Sequence, residues 1–186
     1  MAELTPFQTV GPFFEICFGE PQCARVANDE AAGRRVTVAG TVFDGAGNPV
    51  PDAVVESWQA NAAGRYAHPD DEREQPLDRA FAGYGRAPTD DRGQFSIATV
   101  MPGRVPGPES TLQAPHLLIG VLARGILTRL VTRVYFEDEP STAQDPILAL
   151  VPAERRHTLI ARRAEDDVYR FDVRLQGDDE TVFFDV

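Results

Sequence analysis

Three histidines, four tyrosines and a set of basic residues that are all arginine hold most of the reactive side chains in this sequence. His116 is the most informative, sitting in "LQAPHLLIGVLARG" just after a proline and just before an apolar run. There it can be a metal ligand, a catalytic base or a core imidazole. His68 lies in a Pro/Asp-rich loop and reads as exposed. His157 follows Arg155 and Arg156, a cationic stretch poor for holding a cation, and reads as a surface residue. No H-x-x-x-H/E/D spacing joins them, and nothing matches a nucleophile elbow or a phosphate-binding glycine loop. "GYGRAP" opens no helix, so it is not a dinucleotide fingerprint. Cys17 and Cys23 are too few for a disulfide framework and lack two further ligands for zinc. They read as unpaired thiols in a reducing compartment. By spacing alone the chain carries no complete active site.

The elements that must position these residues are short strands. In "RRVTVAGTVF" Val36, Val38 and Gly40 alternate with Thr37, Ala39 and Thr41, and "DGAGNPVPDA" supplies a turn before Val54, Val55 and Trp58. Asp90, Asp91 and Gly93 form a second turn before Phe95, Ile97 and Thr99. "HLLIGVLA", "RLVTRVYF" and "YRFDVRLQG" are further candidate strands, and "AERRHTLIARRA" fits a short helix or a strand equally. The stretch around "PDDEREQPLDRAFAGYGRAP" reads as a long loop, which in a β domain serves function or an interface. This pattern predicts a mainly β fold, an antiparallel β-sandwich with long loops and an N-terminal arm. The expected organisation is one domain over 1–186, with the arm over 1–35 and the sandwich core over 36–186.

A formal net charge of −11 disfavours phosphate backbones and anionic membranes, so no nucleic acid and no membrane is expected as partner. No stretch approaches the length of a membrane span, and the N-terminus lacks the basic and apolar regions of a signal peptide. A cytoplasmic location is expected.

Taken together, "TPFQTVGPFF", "VVESWQANAAGRY", "GYGRAPTDDRGQFSIATVMPG" and "APHLLIGVLARG" resemble the intradiol ring-cleavage dioxygenases, and the resemblance runs from about Thr5 to the C-terminus. The family's catalytic chain holds a non-haem Fe(III) ion with two tyrosinates and two histidines. Carried over one position at a time, the first tyrosine is Tyr66. The second falls on Val105, in "PGRVPG", and the histidines fall on His116 and on Leu118, in "PHLL". Val105 and Leu118 have no lone pairs to donate, and two donors are a poor set for a hard ferric ion.

The resemblance therefore implies the non-catalytic alpha-type chain of a two-chain member, with iron held by a homologous beta subunit and not by this chain. The complex would use protocatechuate (3,4-dihydroxybenzoate) and O₂, and alpha-beta protomers would assemble into a larger oligomer. The family's arm maps onto Thr9, Gly11, Pro12 and Phe13, which would line the partner's substrate pocket. Arg124 would favour the substrate carboxylate, and Arg133 is the runner-up, unless it pairs with Glu137 or Asp138. His116 is then expected as a buried relic of a metal site, Tyr66 as a structural tyrosine, and Trp58 and Gln59 as core packing. Two other readings stay open at this point. One is an iron catalyst in which Tyr84 or His68 joins Tyr66 and His116. The other is a non-enzymatic β-sandwich binding or scaffold module.

Overall fold

The computed structural model describes residues 6–11 and 24–185. Pro12, Phe13, Cys17 and Cys23 lie outside the described residues. Eleven strands follow one another: β1 (Arg35–Phe43), β2 (Val54–Trp58), β3 (Tyr84–Pro88), β4 (Gln94–Val100), β5 (Val105–Pro106), β6 (Leu112–Gln113), β7 (Leu117–Leu122), β8 (Leu130–Phe136), β9 (Ile160–Glu165), β10 (Val168–Arg170) and β11 (Val173–Arg174). Nine of them form one sheet in the order β11-β1-β10-β9-β8-β7-β2-β3, with β4 paired to β1. β5 and β6 make a separate hairpin.

The sheet comes close to closing on itself. β3 and β4 are joined by the Asp90–Gly93 turn, in which the Asp90 carboxylate accepts from the N–H groups of Arg92 and Gln94 at 2.9 and 2.8 Å, while Gly93 takes φ +69°. One core gathers side chains from both ends of the path, among them Val38, Ile97 and Tyr169 from one end and Val55, Leu117, Ile119 and Val134 from the other. Side chains alternate as a half-buried strand demands: Leu117, Ile119 and Val121 enter this core, while Leu118, Gly120 and Leu122 face the other way. A second, smaller core on that other face gathers Ala114, Tyr135, Leu148, Val151 and Leu159 under the 3₁₀ turns of 140–159.

Several expectations change in detail. The pairings β1–β10, β1–β11 and β8–β9 are parallel, so the sheet is not wholly antiparallel. The "YRFDVRLQG" strand splits into β10 and β11 at Phe171 and Asp172. There the Phe171 carbonyl presses on Gly40, where an added Cβ would overlap it, and the Thr41 N–H is taken by the Asp172 carboxylate at 2.9 Å. "AERRHTLIARRA" is both options in turn, a 3₁₀ segment over Ala153–Leu159 and then β9. The loop stretch contains β3, an edge strand whose Gly85 and Pro88 disguised it.

Candidate functional site

Each residue of "WQANAAGRY" has a mechanical task. Trp58 ends β2 on its outward face. Gln59, 1% exposed, donates to the Val100 carbonyl at 3.0 Å and accepts from Thr99 Oγ1 at 2.8 Å, tying this corner to β4. The Asn61 side chain accepts from the N–H groups of Ala63 and Arg65, both at 3.0 Å, and Gly64 takes φ +82°, so the chain turns sharply and presents Tyr66. The Tyr66 ring lies parallel to Trp58, centroids 5.7 Å apart, and its backbone N–H is held by the Asp71 carboxylate at 2.8 Å.

Behind this corner is a cavity of about 720 Å³ lined by Trp58, Tyr66, Val105, Pro106, Gln113 and Arg73, with Asp70 and Glu72 at its exposed rim. Three of the four degenerate ligand positions are accounted for around it. Tyr66 and Val105 line the cavity directly, and Leu118 is the cross-strand neighbour of Trp58. His116, 7% exposed, stands just before β7, bonded through Nδ1 to the Ala114 carbonyl at 2.7 Å and tilted against Tyr135.

Arg133 brings a positive charge into this cluster. The β7–β8 register sets it opposite Leu118, and its Nη1 donates to Gln113 Oε1 at 2.6 Å and, at 3.4 Å, to the Tyr135 hydroxyl. Tyr135 in turn donates to buried Asp145 at 2.9 Å. Asp145 also accepts from the N–H groups of Ala114, Ile147 and Leu148, so its charge is well satisfied. Burial, reinforced by the Arg133 charge, pushes the His116 pKa down to about 4. Burial raises the Tyr66 hydroxyl above its ordinary value against the pull of Arg133 and Arg73. The hydrogen bond from Arg73 holds Asp71 well below the usual carboxylate range. Glu137 and Asp138 are engaged elsewhere: Glu137 accepts from the Arg163 N–H and Asp138 from the Tyr169 hydroxyl. Arg133 makes no ion pair with another described residue.

These residues do not suit a ferric ion. Two of four donor positions are aliphatic, and a guanidinium is anchored on the adjoining strand, where it opposes any bound cation. Tyr84 and His68 do not complete the set. The Tyr84 hydroxyl donates to Glu56 at 2.6 Å on the outer sheet face, and that bond, after burial, raises its pKa to about 12. His68 is half exposed beside Asp70 and meets the Trp58 ring edge-on.

The arm residues are brought together somewhere else. Thr9 Oγ1 accepts from the Gly125 N–H at 2.8 Å, so the arm docks on the turn that follows β7. Arg124 sits in that turn with a side chain 58% exposed, and its Nε pairs with Asp52 at 2.6 Å. Gly11 is exposed, with open space around it. His116 precedes β7 and Thr9 docks beyond its far end, so at about 3.3 Å of rise per residue the two sets lie about 23 Å apart. Arg133, opposite Leu118, belongs to the His116 end.

Gln113 and Arg73 were not anticipated as parts of the cavity, nor Asp145 as the buried partner of Tyr135. Only Gln113 left a trace in the sequence, three residues before His116 in the same segment.

The class of protein is shown by comparison with known proteins. The dioxygenase family model matches residues 11–177, and the chain belongs to the intradiol dioxygenase family. Within it, the chain is 45% identical to the protocatechuate 3,4-dioxygenase alpha chain of Burkholderia cepacia, over 98% of this chain and 97% of that one. It is 40% identical to the protocatechuate 3,4-dioxygenase beta chain of the same organism, over 84% of this chain and 70% of that one. A solved dioxygenase domain from Streptomyces sp. SirexAA-E superposes with a TM-score of 0.63 at 26% identity, covering 94% of this chain and 99% of that one. No helix among the described residues is long and apolar enough to cross a membrane.

Proposed function

We propose that this chain is the non-catalytic alpha subunit of a protocatechuate 3,4-dioxygenase, paired with a homologous iron-bearing beta subunit. The complex opens the ring of 3,4-dihydroxybenzoate between its two hydroxyl-bearing carbons, incorporating both atoms of O₂ to give 3-carboxy-cis,cis-muconate. In this reading the protein is one cytoplasmic β-sandwich domain with an N-terminal arm, and alpha-beta pairs assemble into a larger oligomer.

The observation that carries the proposal is the separation along β7. Thr9 and Arg124 lie at one end of the strand and the degenerate ligand positions at the other. Among the described residues Thr9 and Arg124 thus stand away from the cavity at Tyr66, which suits them to a neighbour's site. Arg124 suits the task because its ion pair with Asp52 engages Nε, and a guanidinium presents further N–H donors to a substrate carboxylate. Thr9 supports it by fixing the turn that bears Arg124. The reading extends to Gly11, exposed in the arm, and to Pro12 and Phe13, which lie outside the described residues.

The test is protocatechuate-dependent O₂ uptake by this chain purified alone and again after co-expression with a beta chain. The proposal expects activity only with the partner. Turnover by the lone chain would refute it.

A further inference from the structure

We propose that the face of β9, β10 and β11 turned away from the large core carries a site for a small dianionic oxyanion of the phosphate class, held between Arg162, Arg170 and Arg174. These residues are no part of the cavity at Tyr66 or of the arm, and the site does not depend on the subunit reading above.

The β9–β10 register sets Arg162 directly opposite Arg170. Opposed residues of an antiparallel ladder share a face with Cβ atoms about 5 Å apart, and like charges so placed cost stability unless a counter-charge comes between them. Arg174 on β11 borders the same hollow, whose volume is about 340 Å³. That is the small end of the range for ligand pockets. In a chain of net charge −11, three guanidiniums around one hollow form a local positive field.

The partners of these arginines set the charge of the ligand. Arg170 donates through Nε to Asp172 at 2.8 Å and through Nη2 to Thr41 Oγ1 at 2.9 Å, so it is fixed and already neutralised. Among the described residues neither Arg162 nor Arg174 is in an ion pair. The Arg174 guanidinium lies over the Phe43 ring, 4.9 Å from its centroid, a contact that uses its face and leaves its in-plane N–H groups to an acceptor. The Thr181 hydroxyl, which accepts from the Arg174 N–H at 2.9 Å, pins that strand in place. Two positive charges thus lack a counter-charge, which matches a dianion, and a tetrahedral oxyanion has acceptors enough for several guanidiniums at once. Asp179, 72% exposed and 3.7 Å from His157 Nε2, is the opposing acid at the rim.

The full chain is titrated with inorganic phosphate by calorimetry at fixed ionic strength, with acetate as the monoanionic comparison. Phosphate is expected to saturate one site and to bind at least about tenfold more tightly than acetate. Arg162→Gln, an exposed change that the fold should tolerate, is expected to weaken phosphate about tenfold, and Asp179→Asn to tighten it severalfold. Arg163→Gln makes the same charge change on the opposite face of β9 and should leave the titration unaltered. Methyl phosphate, run alongside, separates the two sources of the group: tighter binding than the free ion assigns the site to phosphomonoesters, and weaker binding assigns it to phosphate itself. No saturable binding, equal binding of acetate, or equal loss in Arg162→Gln and Arg163→Gln would each overturn the proposal. Absence of phosphate binding together with loss of beta-chain association in Arg162→Gln would overturn it as well, making this a protein-docking face.

Discussion

Arg133 stands directly opposite Leu118 in the antiparallel β7–β8 ladder, in a row that continues through Trp58 on β2 to Tyr84 on β3. At the position where the family resemblance would place a histidine ligand, this chain has an aliphatic side chain, and one of its two cross-strand partners is a guanidinium. Cross-strand neighbours on one face have Cβ atoms about 5 Å apart, close enough for charge and donor set to act together. The aliphatic side chain and the cation thus share the same small volume.

Restoring the missing donors should therefore not restore iron. The double variant Val105→Tyr, Leu118→His is expected to purify with little iron, because Arg133 still opposes the charge of the ion. Adding Arg133→Gln should raise the iron content severalfold. Metal analysis of the variants decides, and full occupancy in the double variant would show Arg133 to be a bystander.

His116 should make the chain acid-sensitive. Its folded pKa, about 4, lies below the ordinary value of 6.5, so the unfolded state binds the proton more readily. The stabilisation is complete above the unfolded value and is lost as pH falls from 6.5 toward 4. The charged groups around the ring act in opposite directions: Arg133 on β8 lowers the pKa, while Asp145, reached through Tyr135, raises it. A loss of about 2 kcal/mol is expected between pH 7 and about pH 5. Urea unfolding at the two pH values measures it, and His116→Gln should flatten the difference. Asp71, held low by Arg73, titrates below this window and does not mask it.

Arg124→Ala in the assembled complex should raise the KM for protocatechuate about tenfold, in line with the loss of one charge-assisted contact of 1–3 kcal/mol, and should leave iron content unchanged. Its pair with Asp52 joins a guanidinium that is 58% exposed to a carboxylate that is 18% exposed, and solvent screening at the arginine keeps its contribution to about 1 kcal/mol, so the fold should tolerate the change. Thr9→Val removes the acceptor for the Gly125 N–H and should move KM in the same direction by loosening that turn. Unaltered kinetics in both variants would detach the arm from the substrate pocket.

Gly40→Ala should be among the most damaging single changes in the sheet. A Cβ there would run into the Phe171 carbonyl at the point where the chain passes from β10 to β11, and backbone cannot move aside as a flexible side chain can. A loss of about 4 kcal/mol or more is expected, read as a fall in Tm.

Much of this was legible in the sequence because period-two alternation is a local property. Val36, Val38 and Val42 face the core as their spacing demands, and the Asp90–Gly93 turn forms where its residue types require. β3 was hidden because Gly85 and Pro88 carry loop chemistry and only pairing with β2 makes the segment a strand. The ligand comparison identified Tyr66 and His116 because both sit in recognisable segments. The place of Arg133 was not readable, since whether it meets Glu137, Asp138 or Gln113 depends on the β7–β8 register and on the 3₁₀ segments packed over that face. The distance between Thr9 and His116 is likewise a matter of strand length and direction in space. Sequence spacing does not show that β7 separates them.

The most direct test of the central claim is the iron count in the purified alpha-beta complex, with and without variants in each chain. The account predicts one iron for each pair of chains, unaffected by Tyr66→Phe and His116→Gln in this chain. Two irons per pair, or iron lost from the complex on changing Tyr66 or His116, would mean that this chain holds metal after all.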